Sequence, residues 1–348
     1  MSKFLEQNVT RRIVVSSALA GSLLAGARGL VAAQDATPES TPINGEWAFT
    51  DDKGVTVTLP SRPERLAIDV NAAAPLWDFG IKPDALFGWN VMADGSLNDA
   101  GGNIDAEGIP TVGNVNEPIN IEQLIAVEPD LIITITTALD NNPEDYWSID
   151  AGLLDQVKAV APLIAISTTG AANETNPSDA GKTTERFAEL AGLLGADLQS
   201  EELTAAKEDY DAAIENFSAV AAEKSELTAL FLATGEETHW VAWAPAWSDL
   251  SLYTELGMNI QEPETHDGWW EQISLEQALK YPTDLLFVST RGALTIDELN
   301  ASPTFGAHPA VKANQVFDWN QDTIHSYQGV TEALNGIADA LESSGKAS

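Results

Sequence analysis

INIEQLIAVEPDLIITIT, residues 119–136, is echoed by ISLEQALKYPTDLLFVST at residues 273–290. Laid side by side without a gap, the two agree at Ile119/Ile273, Glu122/Glu276, Gln123/Gln277, Asp130/Asp284, Leu131/Leu285 and Thr136/Thr290. Asn120 and Ser274 are good helix N-caps, and Glu122 and Glu276 then fall in the first helical turn, where negative charge is favoured. An apolar run follows in each, so each copy reads as a short helix, a tight turn and a buried strand.

Similar alternation surrounds both copies. Strand patterns at 65–69, 85–89, 163–167, 227–234 and 315–319 interleave with helical patterns at 72–79, 152–160, 250–256 and 329–341. Strands alternating with helices predict parallel α/β layers. Between the copies, 184–224 carries no strand signal. Leu203, Ala206, Tyr210, Ile214, Phe217 and Val220 recur there at three- and four-residue spacing, one face of an amphipathic helix. The expected fold class is therefore α/β, two α/β lobes with mainly parallel sheets joined by a long α-helix. The expected boundaries are an N-terminal lobe at 46–183, a connecting helical segment at 184–224 and a C-terminal lobe at 225–348. Two copies make a duplicated lobe, not a solenoid.

The first 33 residues read as an export signal: a polar start ending in Arg11-Arg12, a modestly apolar run, and small residues at Val31 and Ala33. The paired arginines fit a twin-arginine signal, and the same pattern fits a general secretory one. Residues 34–45, rich in Pro, Thr and Ser, read as a flexible linker. The chain contains no Cys, which excludes a disulfide framework, a Cys-based metal site and a lipid-anchored cysteine. Net charge is −36, and loss of residues 1–33 makes it more negative, since they hold Lys3, Arg11, Arg12 and Arg28 against Glu6. Such a field repels nucleic acid and anionic lipid. No stretch after residue 33 is long and apolar enough to span a bilayer.

Four segments in order now carry a resemblance. FTDDKGVTVTLPSRPERLAI (49–68), EPINIEQLIAVEPDLIIT (117–134), WWEQISLEQALKYPTDLLFVS (269–289) and FGAHPAVKANQVFDW (305–319) resemble the periplasmic binding proteins of iron-siderophore and cobalamin ABC importers, the helical-hinge class. The resemblance implies two lobes that close modestly on a ligand in the cleft between them, then docking of a monomer on a permease dimer. It also implies that Glu122 and Glu276 meet arginine pockets of that permease. One carboxylate per lobe suits a partner with two equivalent subunits; the same glutamates also suit a helix start with no partner at all.

Ligands of open α/β sheets bind beyond the carboxyl ends of the strands. The loops there offer Trp89, Asn90, Asn116 and Tyr146 from the N-terminal half. They offer Trp247, His266, Trp269, Trp270, Arg291, His325 and Tyr327 from the C-terminal half. Trp243, on a strand pattern, reads as core; adjacent Trp269 and Trp270 cannot both face one core from a regular strand, so at least one reads as a cleft wall. THDG ahead of ISLE resembles a loop of some siderophore binders, which makes His266 and Tyr327 candidate iron ligands within a chelate and Arg291 a contact for its negative charge. Those catecholate binders present three cleft arginines. Here the matching stretches ITTALD and APAWSD hold none, which favours a near-neutral hydroxamate-type or mixed ferric siderophore. Haem held by His266 and Tyr327, and then cobalamin, are the alternatives. No cofactor is expected. The chain lacks HExxH, GxxxxGK[ST], GxGxxG and nucleophile-elbow motifs, so an enzyme is not expected, and its four scattered His give a zinc or manganese binder little support.

Overall fold

The apolar runs become the inner strands of two separate sheets. The computed structural model describes residues 45–347 apart from residue 141, so the expected export signal and residues 34–44 of the linker lie outside the described residues. β1 (Trp47–Thr50) and β2 (Thr56–Leu59) form an antiparallel hairpin. The chain then alternates through β3 (Leu66–Asp69), α1 (Val70–Asp78), β4 (Ala85–Phe87), α2 (Ile121–Val127), β5 (Leu131–Thr136), α3 (Leu154–Val160) and β6 (Leu163–Ser167). The four strands β3 to β6 make one wholly parallel sheet in the order β4-β3-β5-β6. Every residue of these strands is buried, as expected of a parallel sheet covered on both faces.

The connecting tract departs from the expectation of one long helix over 184–224. It is two helices, α4 (Ala180–Leu193) and α5 (Glu201–Glu223). α4 begins four residues before the expected start, and Asp179 caps it by accepting from the Lys182 amide. Gly195 turns the chain at φ +101°, and Ser200 caps α5 by accepting from the Leu203 amide. From α4, Arg186 donates to Asp52 at 2.8 Å and lies over the Phe49 ring at 4.3 Å, which fastens the opening hairpin to the helix.

The second half runs β7 (Ala229–Thr234), β8 (Thr238–Ala242), α6 (Ser248–Glu255), β9 (Trp270–Ser274), β10 (Leu285–Ser289), α7 (Ile296–Ala301), α8 (Pro309–Lys312), β11 (Val316–Trp319) and α9 (Tyr327–Ser343). Its sheet has the order β11-β10-β7-β8-β9. β11, β10 and β7 are parallel, while β8 and β9 run antiparallel. The 235–237 link from β7 to β8 is far too short for a crossover, so β8 can only double back. The repeat also differs in detail. α2 is a helix capped by Asn120, but its counterpart is a single 3-10 turn, Leu275–Gln277, with a Ser274/Gln277 capping box. Proline stands one position earlier in the second copy, at Pro282 against Pro129, and the residue before a proline is biased away from helical conformation.

The pleat sends alternate side chains to opposite faces. Ile68, Ile133, Ile135, Ile164 and Ile166 from the first sheet and Phe231 and Phe287 from the second belong to one continuous core, together with Phe187 of α4, Tyr210 and Phe217 of α5 and Leu334 of α9. Each sheet's other face has a core of its own. The two sheets therefore share one core through the helices packed between them.

Candidate ligand cleft between the sheets

Where the carboxyl ends of the strands meet, the floor is polar and buried. β3 ends on Asp69, wholly buried, which accepts from the Asn71 amide at 2.9 Å and from the Ser148 hydroxyl at 2.6 Å. Burial pushes its carboxyl up to about 7, against those hydrogen bonds. β4 runs into Gly88, at φ +124°, where a Cβ would come within 2.3 Å of an Asp69 carboxylate oxygen. The chain can pass so close to Asp69 only because residue 88 has no side chain. Two residues on, buried Asn90 donates to Asn71 Oδ1 at 2.5 Å and accepts from Asn98 at 2.8 Å.

Arg291, just past β10, reaches this floor from the other sheet. Its guanidinium donates to Asn90 Oδ1 at 3.2 Å and grips Asp322 with two contacts of 2.5 Å, Nε to Oδ2 and Nη2 to Oδ1. Asp322 lies in the loop after β11, with its side chain only 9% exposed; burial raises its pKa and the Arg291 charge opposes the rise. The cation is therefore already balanced within the protein.

Beside the floor stands an aromatic wall. Trp247 contacts Trp269 at 4.9 Å, Trp270 at 4.8 Å and Trp319 at 5.2 Å between ring centres, all near edge-to-face. Trp319 donates to buried Asp249 at 2.7 Å, whose carboxyl burial pushes up to about 6. Trp243, expected in the core, is half-buried after β8 and stacks on exposed His266 at 3.7 Å and 9°.

Polar and aromatic side chains thus gather past the carboxyl ends of strands from both sheets, the place where α/β sheets bind ligands. The family model for periplasmic binding protein matches residues 89–323, more than half of the chain. The chain belongs to that family. The family consists of extracytoplasmic substrate-binding proteins. The chain is 24% identical over 299 residues to the Fe(3+)-citrate-binding protein YfmC of Bacillus subtilis, covering 84% of each chain. It is 24% identical over 337 residues to the iron(3+)-hydroxamate-binding protein YxeB of the same organism, covering 92% of each. Among solved structures it resembles DesE, a ferric-siderophore receptor protein from Streptomyces coelicolor, with a TM-score of 0.78 and 29% identity, over 87% of this chain and 100% of that one.

Within this family frame the remaining sequence-predicted residues divide. Asn90 and Arg291 meet on the floor; Trp247, Trp269 and Trp270 meet in the wall. Trp89 is half-buried and takes the Ser148 hydroxyl as acceptor for its amide at 3.3 Å. Asn116 is exposed on the loop before α2. Tyr146 is buried in the core behind the first sheet, under the ammonium groups of Lys53 and Lys158, each 4.9 Å from its ring centre. His325 is buried, 2.8 Å from the Ser248 hydroxyl and stacked on Phe187; burial lowers its pKa to about 4, so it is neutral. Tyr327 packs edge-on against Phe79 and beside Tyr210, with its hydroxyl 3.3 Å from Glu185 of α4. His266 and Tyr327 thus occupy different neighbourhoods, one beside Trp243 and the other against the hinge helices. Among the described residues no group of three or more His, Asp or Glu is placed to hold a metal ion. Glu122 and Glu276 are both exposed, on α2 and on the 3-10 turn that mirrors it. Sequence reading passed over Asp322, Asn71 and Trp319; Asp322 sits just past the end of β11, a position that should have marked it.

Proposed function

We propose that the protein captures a ferric siderophore outside the cytoplasmic membrane and hands it to the permease of an ABC importer, acting as a binding protein and not as an enzyme. One observation carries the ligand class: an aromatic wall beside an arginine whose charge Asp322 already balances. Such a site offers stacking and apolar area to a bulky chelate but no spare cation for a trianionic one. A hydroxamate-type or mixed chelate, neutral or weakly cationic, fits it better than a catecholate. The names of the relatives, a ferric citrate binder, a ferric hydroxamate binder and a ferric-siderophore receptor, support a ferric chelate as the ligand, and the second of them supports the hydroxamate type. The iron is cargo inside its chelate, so no side chain needs to ligate it, and His266 serves as a wall residue stacked on Trp243.

The lobes in this reading are 46–183 and 225–348, with 184–224 as the hinge between them. The chain is exported by a twin-arginine or general secretory signal and works as a monomer. Exposed Glu122 and Glu276, at matching places on the two lobes, engage the two subunits of the permease.

Titrating the purified protein with ferrichrome, ferric dicitrate, haem, cobalamin and Zn(II), while following tryptophan emission, tests the ligand. Saturable quenching by ferrichrome, tighter than by ferric dicitrate, is expected. Binding of haem or cobalamin with no response to any ferric chelate sinks the reading.

A further inference from the structure

The duplicated phrase duplicates more than a glutamate. Among the described residues the two most exposed large apolar side chains are Ile125, at 54%, and Leu279, at 46%. They are counterparts: Ile125 follows Glu122 by three positions, and Leu279 follows Glu276 by three. In each copy the residue just before the aliphatic one, Leu124 or Ala278, is buried. In the first copy a spacing of three on α2 puts Glu122 and Ile125 on one side of the helix; in the second, Glu276 lies in the 3-10 turn and Leu279 in the turn that follows it, and both are exposed. The local backbones differ, yet the outward pair is kept.

Single exposed apolar residues are ordinary on protein surfaces. Two that occupy equivalent places on two lobes, each beside an exposed carboxylate, are not explained by folding. Neither side chain is part of a buried core cluster. Ile125 also borders a shallow surface groove with Ile121, Pro129 and Val160, so its apolar surface continues beyond the one residue. Glu276 is held ionised by a hydrogen bond from Ser274, which lowers its pKa.

We infer that Ile125 and Leu279 are paired apolar anchors for the permease, each inserting beside a basic group of one permease subunit. The inference rests on the proposed delivery function and deepens it. The partner's chemistry follows from the patch: a cationic side chain to meet the glutamate and an apolar pocket to take the aliphatic group, offered twice because the patch occurs twice. The anchor excludes water from the neighbouring ion pair on docking. That matters because an exposed pair contributes little, whereas a desolvated one fixes orientation. Central apolar contacts ringed by polar ones are where binding energy concentrates at interfaces.

The double variant Ile125→Ser/Leu279→Ser, in the full chain, tests this in two assays. Ferrichrome titration of the purified protein should match wild type within about twofold, because neither residue lies in the cleft. Uptake of radio-iron-labelled ferrichrome by cells of the source organism that carry only the variant should fall about tenfold, with single variants intermediate. Unchanged uptake overturns the proposal. If sedimentation instead shows a wild-type dimer that the variant dissociates, with uptake intact, the patch joins two copies of this chain and the proposal fails. If wild type itself does not bind ferrichrome or any other ferric hydroxamate, the ligand reading fails first, and the proposal falls with it.

Discussion

Arg291 and Asp322 form a two-pronged ion pair across two loops of the second sheet, with both contacts at 2.5 Å. Removing the acid without removing its shape should leave a lone cation in the cleft. Asp322→Asn is expected to raise affinity for anionic ferric dicitrate relative to ferrichrome by about tenfold, close to 1.4 kcal/mol of selectivity. The partner of a buried pair is costly to lose, so a lower melting temperature should accompany the change. An unaltered affinity ratio in a folded variant would show that Asp322 does not set ligand charge.

Glu122→Ala/Glu276→Ala should abolish most import while leaving ferrichrome affinity and melting temperature at wild-type values. Both carboxylates are exposed and neither touches the cleft floor. Weakened chelate binding in this variant would remove the docking role.

The wall tryptophans should separate binding from folding. Trp269 meets Trp247 edge-on and is half-buried, so Trp269→Ala should weaken ferrichrome binding by roughly 0.5–1.5 kcal/mol with little effect on stability. Trp247 touches three other tryptophans, so Trp247→Ala should lower both affinity and melting temperature. Equal losses from the two variants in thermal unfolding and in binding would mean that the wall is only core.

What could be read from the sequence follows from which signals are local. The strands of the first sheet announced themselves because each is apolar along its whole length, and the loops past them followed from the α/β rule. β9 did not, since its residues alternate between buried and more accessible, and WEQIS gains meaning only from pairing with THWVA of β8. The break between α4 and α5 was written in Gly195 and Ser200, but an unbroken apolar stripe across α5 masked it. Tyr146 and Tyr327 were expected in the cleft because they stand in the right loops or beside the last helix. Their rings pack into cores instead, Tyr146 under Lys158 and Tyr327 beside Tyr210, contacts that no local pattern announces. The balance of Arg291 by Asp322 joins positions in two different loops, and no local pattern encodes it.

The buried acids give the protein an unusual response to pH. Asp69 carries a pKa of about 7 in the fold against 3.8 when free, so the folded chain holds a proton that the unfolded chain has released. Its contribution to stability is therefore full below pH 4 and is lost as pH rises through 7. Asp249, pushed up to about 6, acts in the same direction. His239 and His325, both lowered to about 4 by burial, act oppositely: the unfolded chain takes up protons as pH falls from 6.5 toward 4, and the fold is weakened. Because these trends overlap, whole-protein unfolding curves do not isolate any one of them, but a difference curve does. Asp69→Asn keeps an acceptor for the Asn71 amide and a polar partner for Ser148 while removing the titration. The melting temperature of the variant minus that of wild type should rise by a few degrees between pH 5 and pH 8, as the wild type comes to hold a buried charge. A difference that stays flat over that range would mean that Asp69 is ionised throughout, with Ser148 and the Asn71 amide sufficient to solvate it.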